Sequence, residues 1–206
     1  MIDTVVFDLG KVLLDWSPGY FYRSHFGDDE AALERFLAEV VTPDWIAEMD
    51  AGKPVAVAIA EGCARHPNHA ELIARWRDGW NTMLRGEIAG TVEILSELRA
   101  RGTRLYSITN FSTETYPQAY LRFPFLSWFE HTVVSGELGI IKPDRRIFEH
   151  AIERCRLDPA RSVFIDDMRA NVEAAQECGF HVIHFTSPES LRATLGTLGV
   201  LSDSEH

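Results

Sequence analysis

The sequence predicts an α/β fold, a Rossmann-like parallel sheet with an inserted helical cap. Three observations predict it. Short β-branched or apolar runs alternate with amphipathic helical stretches over much of the chain. The first run and the second are separated by residues 8–103, far more than one crossover requires. Most of that gap has helical rather than strand periodicity.

The strand runs are Thr4–Phe7, Arg104–Ile108, His131–Val134, Ser162–Ile165 and His181–Phe185. Glu87–Arg101 places Ile88, Val92, Leu95 and Leu98 at helical spacing and stops at Gly102. Asp144–Arg156 carries Ile147, Phe148, Ala151 and Ile152 on one face, behind Pro143. Arg169–Cys178 carries Val172, Ala175 and Gln176, with Gly179 as its stop. Residues 1–16 and 84–206 therefore form the expected sheet domain, with 199–206 as a loose tail.

Residues 17–83 read as the helical cap. Its expected helices are Pro18–His25, Asp29–Val41, Asp44–Met49, Val55–Ala64 and Ala70–Met83. The segment is rich in aromatics, among them Tyr22, Phe36, Trp45, Trp76 and Trp80, and helical spacing of aromatics usually signals packing.

Composition narrows the function. The chain has 206 residues, 46% hydrophobic and 25% charged, and a formal net charge of -11. So acidic a chain repels nucleic acid and anionic membranes, so no nucleic-acid or membrane partner is expected. No apolar run approaches the roughly 20 residues that span a bilayer. The start, Met1-Ile2-Asp3-Thr4-Val5, lacks the basic n-region of a signal peptide. Cys63, Cys155 and Cys178 match neither a zinc pattern nor a disulfide framework. The expectation is a cytoplasmic protein with reduced thiols, monomeric or homodimeric.

Four polar positions fall at the ends of strand runs or just before a helix. Asp8 follows the first run and precedes Leu9-Gly10, where parallel sheets place ligands. Thr109-Asn110 ends the second run and offers a hydroxyl and an amide to an oxyanion. Lys142 stands just before Pro143 and a helix start. Asp166-Asp167 ends the fourth run, with Asn171 one turn into the next helix. Adjacent carboxylates there call for a cation, and an oxygen-rich cluster suits Mg²⁺. Each has a bland reading alone. Asp8, Thr109-Asn110 and Asp166-Asp167 could be turn or helix caps, and Lys142 a surface lysine. Their joint placement on one rim is the argument for chemistry.

Together these residues resemble the haloacid dehalogenase superfamily, over essentially the whole chain. The resemblance implies a sheet order of 3-2-1-4-5, which brings Asp8 beside Asp166 and Asp167. It implies Asp8 as nucleophile, with Thr109, Lys142 and Asp167 also catalytic. It implies Thr109, Asn110 and Lys142 at the substrate, and Mg²⁺ held by Asp8, the Gly10 carbonyl, Asp166 and Asp167. The expected function is a Mg²⁺-dependent phosphatase of a small phosphorylated metabolite, such as a sugar phosphate, working through an aspartyl-phosphate.

One position departs from the family pattern. Phosphatases of this kind usually carry a second Asp two residues after the nucleophile to protonate the leaving group, and here that position is Gly10. Asp15 is the speculative substitute, with a turn residue as its plainer reading. Gly10 also suits a metal-independent 2-haloacid dehalogenase, which needs no acid; Asp166-Asp167 and Asn171 suit it poorly. A non-catalytic phosphometabolite-binding protein is the third reading. In the cap, Trp45, Asp50 and Lys53 are candidates for substrate contact, and Arg23 and His25 for a second anionic group or a solvated face.

Overall fold

The computed structural model describes residues 1–201. The chain runs β1 (Thr4–Phe7), β2 (Leu14–Trp16), α1 (Gly19–Phe26), α2 (Glu30–Glu39), α3 (Pro43–Asp50), α4 (Val55–Arg65), α5 (Ala70–Ala74), α6 (Trp76–Met83) and β3 (Leu84–Glu87). It continues through α7 (Ala89–Ala100), β4 (Arg104–Thr109), α8 (Tyr116–Arg122), β5 (His131–Val134), α9 (Ser135–Leu138) and α10 (Arg145–Cys155). It closes with β6 (Ser162–Asp166), α11 (Arg169–Glu177), β7 (His181–His184) and α12 (Pro188–Thr197).

Five strands form one sheet in the order β5-β4-β1-β6-β7, each pair parallel. Ranked within the sheet this is 3-2-1-4-5; the chain-wide labels differ because β2 and β3 pair apart, as an antiparallel ribbon. The period-two pleat of β1 sorts its side chains. Val5 and Phe7 join Leu95 and Leu98 of α7 and Leu191 and Leu195 of α12 on one face. Val6 joins Phe148 of α10 and Ala175 of α11 on the other. Both faces of the sheet are covered, which is why β1 and β6 are buried along their whole length and mostly apolar.

Helices α1–α6 lie between the ribbon strands and have their own core of Tyr22, Phe36, Trp45, Met49, Ile73 and Trp76, among others. Side-chain caps start two of them: Asp29 accepts from the Ala32 amide, and Thr42 from the Trp45 amide. No helix of the described residues is long and apolar enough to cross a membrane.

The structure corrects four local expectations. The ribbon was not foreseen: Leu14 pairs with Glu87, so Glu87 ends a strand and α7 starts at Ala89. The stretch 70–83 is two helices, because Arg75 leaves helical geometry at φ −83, ψ 1. Helix α12 was not anticipated. Val200 and Leu201 are buried in the sheet core rather than loose, and 202–206 lie outside the described residues.

Candidate active site

The sheet register builds the site. Phe7 of β1 is level with Ile165 of β6, so Asp8 and Asp166 emerge side by side at the carboxyl edge. On the other flank Phe7 is level with Ser107 of β4, and Thr109 follows two residues on. Lys142 comes from the loop between α9 and α10. The Asn110 side chain fixes that loop: its Oδ1 accepts from the Lys142 amide at 2.8 Å, and its Nδ2 donates to the Lys142 carbonyl at 3.0 Å. Asn110 lines the cleft and holds the Lys142 loop through both ends of its amide, which leaves its second Nδ2 hydrogen unused by these bonds.

The Lys142 ammonium is buried. It lies 2.9 Å from Asp8 and 2.6 Å from Asp166, and 5.4 Å from the centre of the Phe164 ring. Burial alone would lower its pKa; the two carboxylates outweigh that and hold it above its ordinary value. Asp166 has no exposed surface. It accepts from Lys142, from the Met168 amide at 2.8 Å, and from Asn171 Nδ2 at 3.0 and 3.1 Å. Those bonds compensate the burial of its charge.

Asp8 accepts only from Lys142 and from the Leu9 amide, at 2.7 Å. Burial pushes its carboxyl up to about 7; Lys142 pulls it back and Asp166 pushes it further up. Asp167 is half-buried and also raised, by desolvation and then by Asp166. Oxygens of Asp8, Asp166 and Asp167 all lie within 4.8 Å of one another. One buried ammonium faces three carboxylates, and a divalent cation at that point would balance the excess. The donor set is all oxygen, as Mg²⁺ prefers. Thr109 supplies a second sign that something belongs here. Its hydroxyl is buried without a partner, as is that of Ser107, an arrangement folded proteins avoid away from functional sites.

A cleft of about 550 Å³, part of it open to solvent, joins this edge to the helical insertion. Gly10 and Asn110 line its floor; Ile46, Met49 and Asp50 of α3 line the opposite wall. Asp50 ties the two parts together. Its carboxylate accepts from the Ser112 amide, and its carbonyl accepts from Ser135 Oγ at 2.6 Å. Burial pushes its carboxyl up to about 7, against the pull of Ser112 and Lys142. The backbones touch nearby: a Cβ at Gly136 would sit 2.8 Å from the Phe111 carbonyl oxygen, and one at Gly52 would sit 3.0 Å from that of Gly136.

Several candidates lie elsewhere. Trp45 does not line the cleft; it packs edge-on to Trp76 at 4.9 Å, and its indole N–H donates to the Ala58 carbonyl. Its amphipathic position made core and contact equally readable, and the insertion core claimed it. Asp15 accepts from the Tyr20 hydroxyl at 2.6 Å and is no part of the cleft. Lys53 pairs with Glu48 and Glu61; Arg23 pairs with Glu30, and His25 meets Arg75. Sequence reasoning missed Ser112, Ser135 and the apolar wall. Only the acidic residue before the Gly52 turn hinted at where the insertion docks.

A sequence model of haloacid dehalogenase-like hydrolases matches residues 2–179. The chain belongs to this family. A sesquiterpene phosphatase of Aspergillus oryzae is 28% identical to this haloacid dehalogenase-like hydrolase, covering 88% of the chain and 88% of the relative. Acyl-CoA dehydrogenase family member 10 of Mus musculus is 32% identical over 50% of this chain, which spans only 10% of that protein. A HAD family enzyme of Bacteroides thetaiotaomicron, solved with magnesium and inorganic phosphate, superposes with a TM-score of 0.67 at 22% identity, covering 91% of this hydrolase and 96% of that chain. That likeness shows the shared fold.

Proposed function

We propose that this hydrolase is a Mg²⁺-dependent phosphatase of a small phosphorylated metabolite, with Asp8 as its nucleophile. The observation that carries the reading is the cluster of three carboxylates, two of them paired with one buried ammonium, together with the orphaned Thr109 hydroxyl. Phosphatases among the relatives, and a magnesium–phosphate complex in the same fold, support it.

Asp8, Asp166 and Asp167, with the Gly10 carbonyl, would hold the metal. Bound Mg²⁺ supplies charge neutralisation at the phosphoryl oxygens. The chain's own groups do the rest. Asp8, held by Lys142 and the Leu9 amide, attacks phosphorus; the P–O bond to the leaving oxygen breaks, that oxygen takes a proton from water, and an aspartyl-phosphate forms. Thr109 donates its free hydrogen to a phosphoryl oxygen, and Lys142 offsets the negative charge gathered there. Water then opens the acyl phosphate and restores Asp8. The helical insertion, docked through Asp50, acts as a cap that keeps bulk water from the reacting centre. The thiols of Cys63, Cys155 and Cys178 are free, which suits a reducing compartment such as the cytoplasm.

Gly10 favours a second reading, the metal-independent 2-haloacid dehalogenase, because no carboxyl stands two residues after Asp8. The three clustered carboxylates oppose it, since without a cation they repel one another. Hydrolysis of p-nitrophenyl phosphate that needs Mg²⁺ and stops in Asp8→Asn supports the phosphatase. Turnover indifferent to EDTA removes the metal from the account, and halide release from L-2-chloropropionate with no phosphate released replaces it with the dehalogenase.

A further inference from the structure

The cleft beyond Asp8 carries an inference about the substrate's organic part. Its wall is built from Trp16, Ile46, Met49, Trp76, Trp80 and Phe111, contributed by the ribbon, the insertion and the loop after β4. The cleft's polar side chains, Asp50, Asn110, Ser112 and Thr115, are few, and each already holds one partner within the protein. Asp50 takes the Ser112 amide. Asn110 is clamped on the Lys142 backbone. Ser112 Oγ accepts from the Glu114 amide at 3.2 Å, and Thr115 Oγ1 is 3.5 Å from the Ser112 carbonyl. The indole N–H groups of Trp16 and Trp80 lack partners, but they are donors only and few.

A sugar phosphate entering this space would bury several hydroxyls against walls that are mostly apolar and offer few polar partners. Sites that select polyols supply those partners, because a buried unpaired hydroxyl is costly. An apolar body would instead replace water against aromatic and aliphatic walls.

We infer that the cleft binds the phosphate monoester of an apolar alcohol, with an aromatic or branched-hydrocarbon body lying against Trp16, Trp80 and Ile46 and the phosphoryl group at Asp8. This rests on the phosphatase reading and narrows its substrate class away from sugar phosphates.

The test is a series of primary alkyl phosphates from butyl to decyl, assayed with Mg²⁺ beside glycerol phosphate and glucose 6-phosphate. The kcat/KM should rise about three- to fourfold per methylene until the cleft is filled, the factor that corresponds to burying one CH₂. Glucose 6-phosphate should fall about a hundredfold or more below the best alkyl ester, through KM, by the cost of unpaired hydroxyls. Ile46 is only partly buried, so Ile46→Asp opens no core. It should flatten the chain-length dependence, lowering kcat/KM most for the longest esters. A flat series in the wild type, or a sugar phosphate that equals the best alkyl ester, overturns the inference and leaves the phosphatase standing. No phosphate release from any ester, p-nitrophenyl phosphate included, overturns both.

Discussion

The Lys142 ammonium stands 2.9 Å from the Asp8 carboxylate, and both groups are buried. With Asp166 at 2.6 Å on its other side, Lys142 is the only protein cation in contact with either carboxylate among the described residues. Removing it leaves buried negative charge uncompensated. Lys142→Ala is therefore expected to cost about 3–5 kcal/mol of stability at pH 8, the usual range for breaking a buried pair on one side. The loss should shrink at pH 5, where Asp8 takes up a proton. Urea unfolding at the two pH values checks it; equal losses would contradict it.

Asp8 itself is predicted to destabilise the metal-free fold. Its carboxyl is raised from 3.8 to about 7, so between those values the folded state holds a proton that the unfolded state releases. Stability then falls as pH rises through that window. Asp8→Asn cannot ionise and escapes the penalty. The variant should melt higher than wild type at pH 8 in EDTA, with the gain fading toward pH 5. For a chain of this size each kcal/mol recovered is about 2–4 °C. Calorimetry across pH gives the answer. Mg²⁺ should stabilise the wild type above pH 7 and less below it, because metal and proton compete for Asp8.

Gly10 lets the missing acid be restored. A Cβ built there meets nothing within 4 Å, so the backbone at this position accepts the start of a side chain. Gly10→Asp is expected to raise kcat on alkyl phosphates about tenfold or more, toward the ~10²–10⁴ that general acid catalysis is worth. Activity on p-nitrophenyl phosphate should hardly change, because its leaving group needs no proton. A gain on both esters, or on neither, would show that leaving-group protonation is not what limits this enzyme.

Much of this was legible in the chain because it is written locally. Apolar runs give the five sheet strands, and Gly102 and Gly179 mark helix ends. Asp8, Thr109 and Asp166-Asp167 stand where parallel strands end, and Lys142 stands just before α10. What could not be read depends on partners distant in sequence. Leu14–Trp16 is too short to announce a strand, and it pairs with residues on the far side of the insertion. Asn110 reads in the chain as an oxyanion donor, and nothing there shows that its amide also holds the backbone of a loop 32 residues away. Trp45 and Ile46 are neighbours in one helix, and only the packing of α4 and α6 decides which one faces the cleft.

Asp50 tests the role of the insertion. Asp50→Ala deprives the Ser112 amide of its acceptor and loosens the contact between α3 and the loop after β4. An orphaned buried donor costs about 1–3 kcal/mol. The expected result is a KM about tenfold higher with a smaller fall in kcat, and substantial recovery in Asp50→Asn, whose side-chain oxygen still accepts. Steady-state kinetics on the three proteins decide it; an unchanged KM in Asp50→Ala would mean that the carboxylate does not hold the cap.

In the proposed reaction Asp8 becomes covalently phosphorylated. Rapid acid quench during turnover of p-nitrophenyl phosphate with Mg²⁺, followed by peptide mass spectrometry, tests it most directly. One phosphoryl group on the peptide that contains Asp8, absent without Mg²⁺ and absent in Asp8→Asn, is the predicted result. Turnover with no phosphoryl group on that peptide at any quench time, or one carried by another residue, would contradict it.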